Sequence, residues 1–159
     1  MPFLIQQHED GVRAALAEAE KAVDEGEVPV GAVVVREGTI VGRGHNQVER
    51  LQDATAHAEI LAIGAAAATL GTWRLSECTI YVSLEPCMMC AGALVLSRIG
   101  LLVYAAQDPK AGACGSRIDV LGEPWLNHHV PVVSGVLAEE SSRLLSAFFA
   151  SKRKERERS

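Results

Sequence analysis

Apolar and polar residues recur along this chain in two rhythms. Between residues 8 and 25, Val12, Ala15, Leu16, Ala19 and Val23 fall at spacings of three and four, the period of a helix with one buried face. Gly26 and Pro29 end that pattern. Val30 to Val35 is a short β-branched run and reads as a strand. Glu37-Gly38 is a hairpin signal, and Thr39 to His45 returns as a second strand. Gly31, Gly42 and Gly44, unusual inside strands, predict a bulge or a close backbone approach, and strand ends that border a pocket. Asn46 to Thr55 reads as a polar loop. A helix follows from Ala56 to Thr69, with Thr55 or Asp53 as its cap. Its body is small and apolar on nearly every side, the pattern of a buried helix.

Cys78 to Leu84 is the third strand, Cys87 to Ser97 a second small apolar helix, and Leu101 to Ala105 a fourth strand. Strand, helix and strand this close together predict a parallel pair with a right-handed crossover. Residues 107–127 carry Gly112, Gly115, Gly122 and Pro124 and read as irregular, with one short helix expected at Arg117 to Leu121. A long irregular segment in a compact domain is usually functional. Val130 to Val133 reads as a fifth strand, which Pro131 confines to an edge. The last helix runs from Ala138 to Arg153, with Leu144, Leu145, Phe148 and Phe149 on its apolar side. The pattern is that of one α/β domain covering residues 1–159.

Composition sharpens this picture in three ways. Of the 159 residues, 48% are apolar but only 4% aromatic, so the core is built from Ala, Val, Leu and Ile and favours tight helix–sheet packing. The net charge of -5 speaks against nucleic-acid binding by bulk charge. Residues 152–158, Lys-Arg-Lys-Glu-Arg-Glu-Arg, nevertheless give the acidic body a basic end over 150–159. That end is either a solvated helix terminus or a surface for a phosphate backbone. The four cysteines are too few for a disulfide scaffold. No apolar run is long enough to cross a membrane and nothing at the N-terminus reads as a leader, so a cytoplasmic protein with reduced thiols is expected.

The candidate chemistry lies in Pro86-Cys87-Met88-Met89-Cys90 and His57-Ala58-Glu59. Two thiolates and an imidazole can hold zinc with a fourth position free for water, and a carboxylate beside that water can act as base. Cys87 and Cys90 share the first turn of a helix, where free N–H groups favour thiolates. In an ideal helix His57 and Glu59 would point about 200° apart, so they can share a pocket only at a helix terminus. Rival readings stay open. Cys-x-x-Cys can be a redox pair. A structural zinc site could recruit Cys78, Cys114, His45, His128 or His129, and His57 alone could be a satisfied core histidine. The conjunction with Glu59 and Pro86 favours catalysis.

The H-x-E…P-C-x-x-C pattern is the signature of zinc nucleobase deaminases. With Glu27-Val28-Pro29-Val30-Gly31-Ala32, Gly44-His45-Asn46, Tyr81 through Ala93, Ser97-Arg98-Ile99-Gly100, Gly112 through Ser116 and Asn127-His128, nearly the whole chain resembles the bacterial tRNA-specific adenosine deaminases of the cytidine deaminase-like superfamily. The resemblance implies a three-layer fold, a mixed five-stranded sheet flanked by helices. It implies hydrolytic conversion of adenosine to inosine at the wobble position of a tRNA anticodon, with one zinc per subunit on His57, Cys87 and Cys90 and Glu59 as proton shuttle. Asn46 would hydrogen-bond the adenine, Val30 and Ala58 would lie near the pocket, and the Leu84-Glu85 backbone would border the metal. Asp108, Lys110 and the Asn127-His128 loop would hold flipped nucleotides of the anticodon stem-loop, bound across a homodimer. Residues alone leave Asn46 equally readable as an Asx turn. They also leave room for a deaminase of free guanine, cytosine or cytidine, or for a non-enzymatic zinc protein.

Overall fold

The computed structural model describes residues 5–159; the first four, part of the stretch read for a leader, lie outside the described residues. Helix α1 (His8–Asp24) precedes the hairpin β1 (Gly31–Arg36) and β2 (Thr39–His45). The short α2 (Val48–Leu51), α3 (Ala58–Leu70), β3 (Thr79–Leu84), α4 (Met88–Leu96), β4 (Leu101–Ala106), β5 (Val132–Val133) and α5 (Ala138–Arg158) complete the chain. The sheet order is β2-β1-β3-β4-β5. β1 is antiparallel to β2 and β3, whereas β3–β4 and β4–β5 are parallel, so the sheet is mixed and five-stranded as expected.

Alternation along each strand feeds two cores. On one face Val34, Ile80, Val82, Leu102 and Tyr104 pack with Ala62 and Ala66 of α3 and Ala91 and Leu94 of α4. On the other, Val33, Tyr81, Val103 and Ala105 meet Val12 and Ala15 of α1, and α5 lies over β3 and β4. The result is three layers. The strand glycines are where helices touch the sheet. A Cβ on Gly31 would sit 2.0 Å from the Ala15 carbonyl oxygen, and one on Gly44 2.3 Å from that of Ala58. A register shift between Val34 and Val35 supplies the bulge as well. The turn at Glu37 (φ 50°) and Gly38 (φ 78°) has positive φ at both central residues, the hairpin geometry that matches strand twist.

Several expectations are corrected. The loop after β2 contains α2, a single turn held by contacts from elsewhere in the chain. The cap of α3 is His57, not Thr55 or Asp53; Asp53 instead accepts from the Thr55 N–H and hydroxyl. Helix α3 is not buried all round. Ala58, Glu59, Ala62 and Ala66 are buried, while Gly64 and Ala68 are exposed and Ile60 and Ala67 half-buried. No helix forms at Arg117 to Leu121. Cys114 bridges Asp119 there, and the Arg117, Ile118 and Val120 N–H groups turn back to the Gly112 and Ala113 carbonyls. The fifth strand shortens to Val132–Val133, and Pro131, which has no N–H to donate, accepts from Leu102 N. The last helix runs on to Arg158, its basic final turn matching the helix dipole.

Candidate active site

Two helix N-termini meet at the C-terminal edge of β3. His57 is the N-cap of α3, extended at φ -76° and ψ 152°. Cys87 is the N-cap of α4, extended at φ -76° and ψ 176°. Because His57 lies outside the helix, the 200° problem disappears: Glu59, in the first turn, shares the pocket with it. Cys90 lies one turn in from Cys87 and is fully buried.

His57 Nδ1 is 3.5 Å from Cys87 Sγ and 3.6 Å from Cys90 Sγ. Tetrahedral zinc, with bonds of about 2.0 Å to nitrogen and 2.3 Å to sulfur, spans an N···S edge of about 3.6 Å. The three donor atoms lie mutually within 4.8 Å, and among the described residues no fourth protein ligand joins them. His45 is held elsewhere, 2.9 Å from Glu25. Cys114 Sγ faces the Pro86 carbonyl oxygen at 3.9 Å. The thiol chemistry also fits a cation. The Cys90 thiol donates to Cys87, and with the Met89 and Cys90 backbone N–H groups it pulls the Cys87 thiol down to about 5 against the cost of burial. That same bond and burial push Cys90 up. Both can ionise together only with a positive charge between them. The triad is placed to coordinate one zinc ion.

The triad opens into a cavity of about 250 Å³. Val30, Asn46, Ala58, Leu84, Glu85 and Asp108 line it with His57, Glu59 and Cys87, and so do Val28 and Ala111, which were not expected there. Glu59 is 4% exposed, and burial pushes its carboxyl up to about 7 even though its own backbone N–H favours the ionised form. Asn46 is in an Asx turn: its Oδ1 accepts from Val48 N at 3.2 Å and its Nδ2 donates to the Val28 carbonyl oxygen at 3.2 Å. The Asx turn therefore forms, and the amide keeps one further N–H and one lone pair after those two bonds.

Three expected residues lie away from this cavity. Lys110 lines a second groove with Phe149, Lys152, Arg153 and Arg156 of α5. Asn127 lines a third, with Gly92, Leu96, Arg98 and Trp125. His128 bonds the Ile99 carbonyl oxygen at 2.7 Å.

The layered fold and the His-Cys-Cys corner define a zinc deaminase of the cytidine deaminase-like class. Residues 6–153 match the MafB19-like deaminase family. The chain is 51% identical over 150 residues to a tRNA-specific adenosine deaminase of Bacillus subtilis (strain 168), covering 94% of this chain and 93% of that protein. It is 51% identical over 138 residues to one of Aquifex aeolicus (strain VF5), covering 87% and 91%. A solved structure from work on A-to-I editing by tRNA deaminases at the wobble position superposes with TM-score 0.82 at 43% identity, covering 86% of this chain and 99% of that one. A guanine deaminase of Nitrosomonas europaea superposes with TM-score 0.78 at 27% identity, covering 94% and 88%. The chain matches the MafB19-like deaminase family over most of its length and belongs with the tRNA-specific adenosine deaminases.

Proposed function

We propose that this protein hydrolytically deaminates adenosine to inosine at the wobble position of a tRNA anticodon, in one domain spanning the chain. Zinc on His57, Cys87 and Cys90 supplies Lewis-acid activation of a water molecule. The remaining work falls to the chain. Glu59 takes one proton from the attacking water and passes it to the ring nitrogen, then takes the second from the hydroxyl now on the ring carbon and passes it to the leaving amine. The C–O bond forms first, as the ring nitrogen takes its proton; the C–N bond breaks afterwards, once the amine is protonated, and ammonia leaves. A carboxyl that burial raises toward neutrality in the metal-free protein suits a group that must both take and give a proton. Val28, Val30, Ala58 and Leu84 enclose the base, and Asn46 reads its edge with its free N–H and lone pair.

The observation that carries RNA over a free base is the groove beside the pocket. Asp108 lines the cavity; two residues on, Lys110 turns into a groove of about 470 Å³ with Lys152, Arg153 and Arg156. The loop that would hold a flipped nucleotide therefore runs into a cationic track suited to its neighbouring phosphates.

The same reading takes the protein as a cytoplasmic homodimer. Met88 (68% exposed) and Leu96 (73%) on α4, with Trp125 (77%), leave an apolar face on the outside of α4, continuous with the groove that holds Asn127. A second copy would cover that face, and Asn127 and His128 beside the seam would serve the nucleotides passing between subunits.

Purified protein offered an anticodon stem-loop with wobble adenosine, free adenosine, cytidine and guanine tests this directly. Inosine in the stem-loop alone is the expected result. Turnover of guanine with the stem-loop untouched would assign the site to a free base. Sedimentation of wild type and Leu96→Asp tests the dimer, which the variant should dissociate.

A further inference from the structure

Two buried carboxylates take no part in that chemistry. Glu27 and Glu85 are each 2% exposed, and among the described residues neither is paired with a cation. A buried carboxylate without a cation is costly unless it is hydrogen-bonded, and both accept from backbone N–H groups of segments beside the cavity.

Glu27 serves the wall that carries Asn46. Its Oε1 accepts from Glu49 N at 3.0 Å and its Oε2 from Arg50 N at 2.8 Å. These N–H groups belong to the first turn of α2, which has no internal partner for them. A four-residue helix does not persist by itself. Pinned by Glu27, it presents Val48 N to Asn46 and so sets the direction of the Asn46 amide.

Glu85 serves the opposite wall. Its Oε1 accepts from Asp108 N at 3.1 Å and from the Ser116 hydroxyl, and its Oε2 accepts from Cys114 N at 3.0 Å and Ser116 N at 3.1 Å. An ionised carboxylate offers about four lone-pair sites, and here four donors occupy them, leaving none for substrate. The loop wraps so closely that a Cβ on Gly112 would lie 2.5 Å from the Glu85 carboxyl carbon. Asp108 and Ala111 of this loop line the cavity. Glu85 also stands two residues before the ligand Cys87, so one short segment ties the loop wall to the metal corner.

We infer that Glu27 and Glu85 are paired positioning residues: each carboxylate clamps one loop wall of the nucleotide pocket in register with His57, Cys87 and Cys90. The inference rests on the deaminase reading above. Each of the substitutions Glu27→Gln and Glu85→Gln replaces one acceptor oxygen by an amide that faces N–H donors, so the local wall should loosen while the zinc corner stays. Displacements of about 1 Å can cost about 10²-fold in rate. Each variant is expected to keep one zinc per chain and to lose about 10²-fold in kcat/KM on the stem-loop, mostly in KM. Ser116→Ala, which removes one donor and no charge, should fold normally and raise KM about threefold, an effect that vanishes in the Glu85→Gln background. Amide hydrogen exchange reads the walls without substrate. Glu85→Gln should speed exchange in residues 108–116 and spare 47–51; Glu27→Gln should do the reverse. If Glu85→Gln does not fold, exchange in Ser116→Ala carries the test of that wall. Unchanged exchange, or a lowered melting temperature with kcat/KM intact, overturns the inference. Selective loosening in an enzyme whose wild type leaves the stem-loop untouched supports the clamps and overturns the tRNA reading.

Discussion

The metal corner and the loop wall border one cavity and are built by opposite rules. At the corner, each ligand set is a short contiguous phrase placed at a helix start. His57 and Cys87 are extended N-caps, and Glu59 and Cys90 follow within one turn. The opposite wall, residues 108–116, has no regular structure. It takes its shape from Glu85, more than twenty residues earlier, whose carboxylate collects its N–H groups. The corner therefore depends on local geometry and ligand chemistry, whereas the wall depends on a few long-range hydrogen bonds.

The comparison breaks first at Glu59. Glu59→Gln keeps the size of the side chain and removes the base, so stem-loop deamination should fall at least about 10³-fold. Metal analysis should still find one zinc per chain, because Glu59 stands outside the donor cluster. Loss of zinc together with activity would mean that Glu59 helps to hold the metal.

A second effect, on stability, has opposite signs at the two sites. In the metal-free protein burial raises Glu59 from 4.5 to about 7. The fold then favours the protonated form, so this contribution is full below about pH 4.5 and is lost as pH rises through about 7, on the order of 3 kcal/mol in all. Burial alone would raise Glu85 too, but the Ser116 hydroxyl and the Asp108, Cys114 and Ser116 N–H groups outweigh it and hold its carboxyl below the usual range. Its contribution is present above the ordinary carboxylate pKa and is lost as pH falls through the lowered value. Urea unfolding of chelator-treated protein should show Glu59→Gln more stable than wild type at pH 8, with the gap closing toward pH 5. Hydrogen exchange should show residues 108–116 loosening first in acid. A gap that stays constant with pH would remove the titration of Glu59 as its cause.

Gly44 links the corner to the sheet. A Cβ there would meet the Ala58 carbonyl oxygen at 2.3 Å and Ala62 N at 2.7 Å, both helix backbone that cannot swing aside. Gly44→Ala should cost about 1–3 kcal/mol by overpacking. Because Ala58 follows the ligand His57, it should also weaken zinc retention against a competing chelator. Gly64→Ala lies on the same helix, where an added Cβ meets nothing within 4 Å, and should leave zinc retention unchanged. Equal zinc loss in both would detach the effect from the contact at Gly44.

The same contrast explains what could be read before the structure. The corner was legible because its residue types and spacings are local and chemically demanding, and the parallel pairing of β3 and β4 followed from a strand, a helix and a strand lying close together in sequence. The stretch Arg117 to Leu121 misled, since its N–H groups are claimed by the Gly112 and Ala113 carbonyls through a turn that no local pattern announces. α3 misled in another way. An apolar surface in sequence does not say whether it faces a sheet or the outside, and at Gly64 and Ala68 this one faces outward. Glu27 was visible only as part of a matching phrase and Glu85 only for its backbone beside the metal, because a carboxylate's backbone partners far along the chain leave no mark in its own neighbourhood.

The smallest effect lies at the far end of the hairpin from the site. Glu37 is exposed and holds φ at 50°, a left-handed conformation that costs an ordinary residue and that Asn adopts readily. No chemistry uses it. Glu37→Asn should therefore stabilise the protein by about 0.5 kcal/mol, read as a rise in urea midpoint at constant slope, and should leave deamination unchanged. Glu59→Gln is also expected to stabilise, in the metal-free protein, yet to abolish turnover. Two substitutions that both add stability thus separate cost kept for chemistry from cost kept for nothing. If Glu37→Asn slowed deamination, the hairpin tip would have to be coupled to the pocket through β1 and β2, and the division between a chemically constrained corner and a freely adjustable periphery would fail.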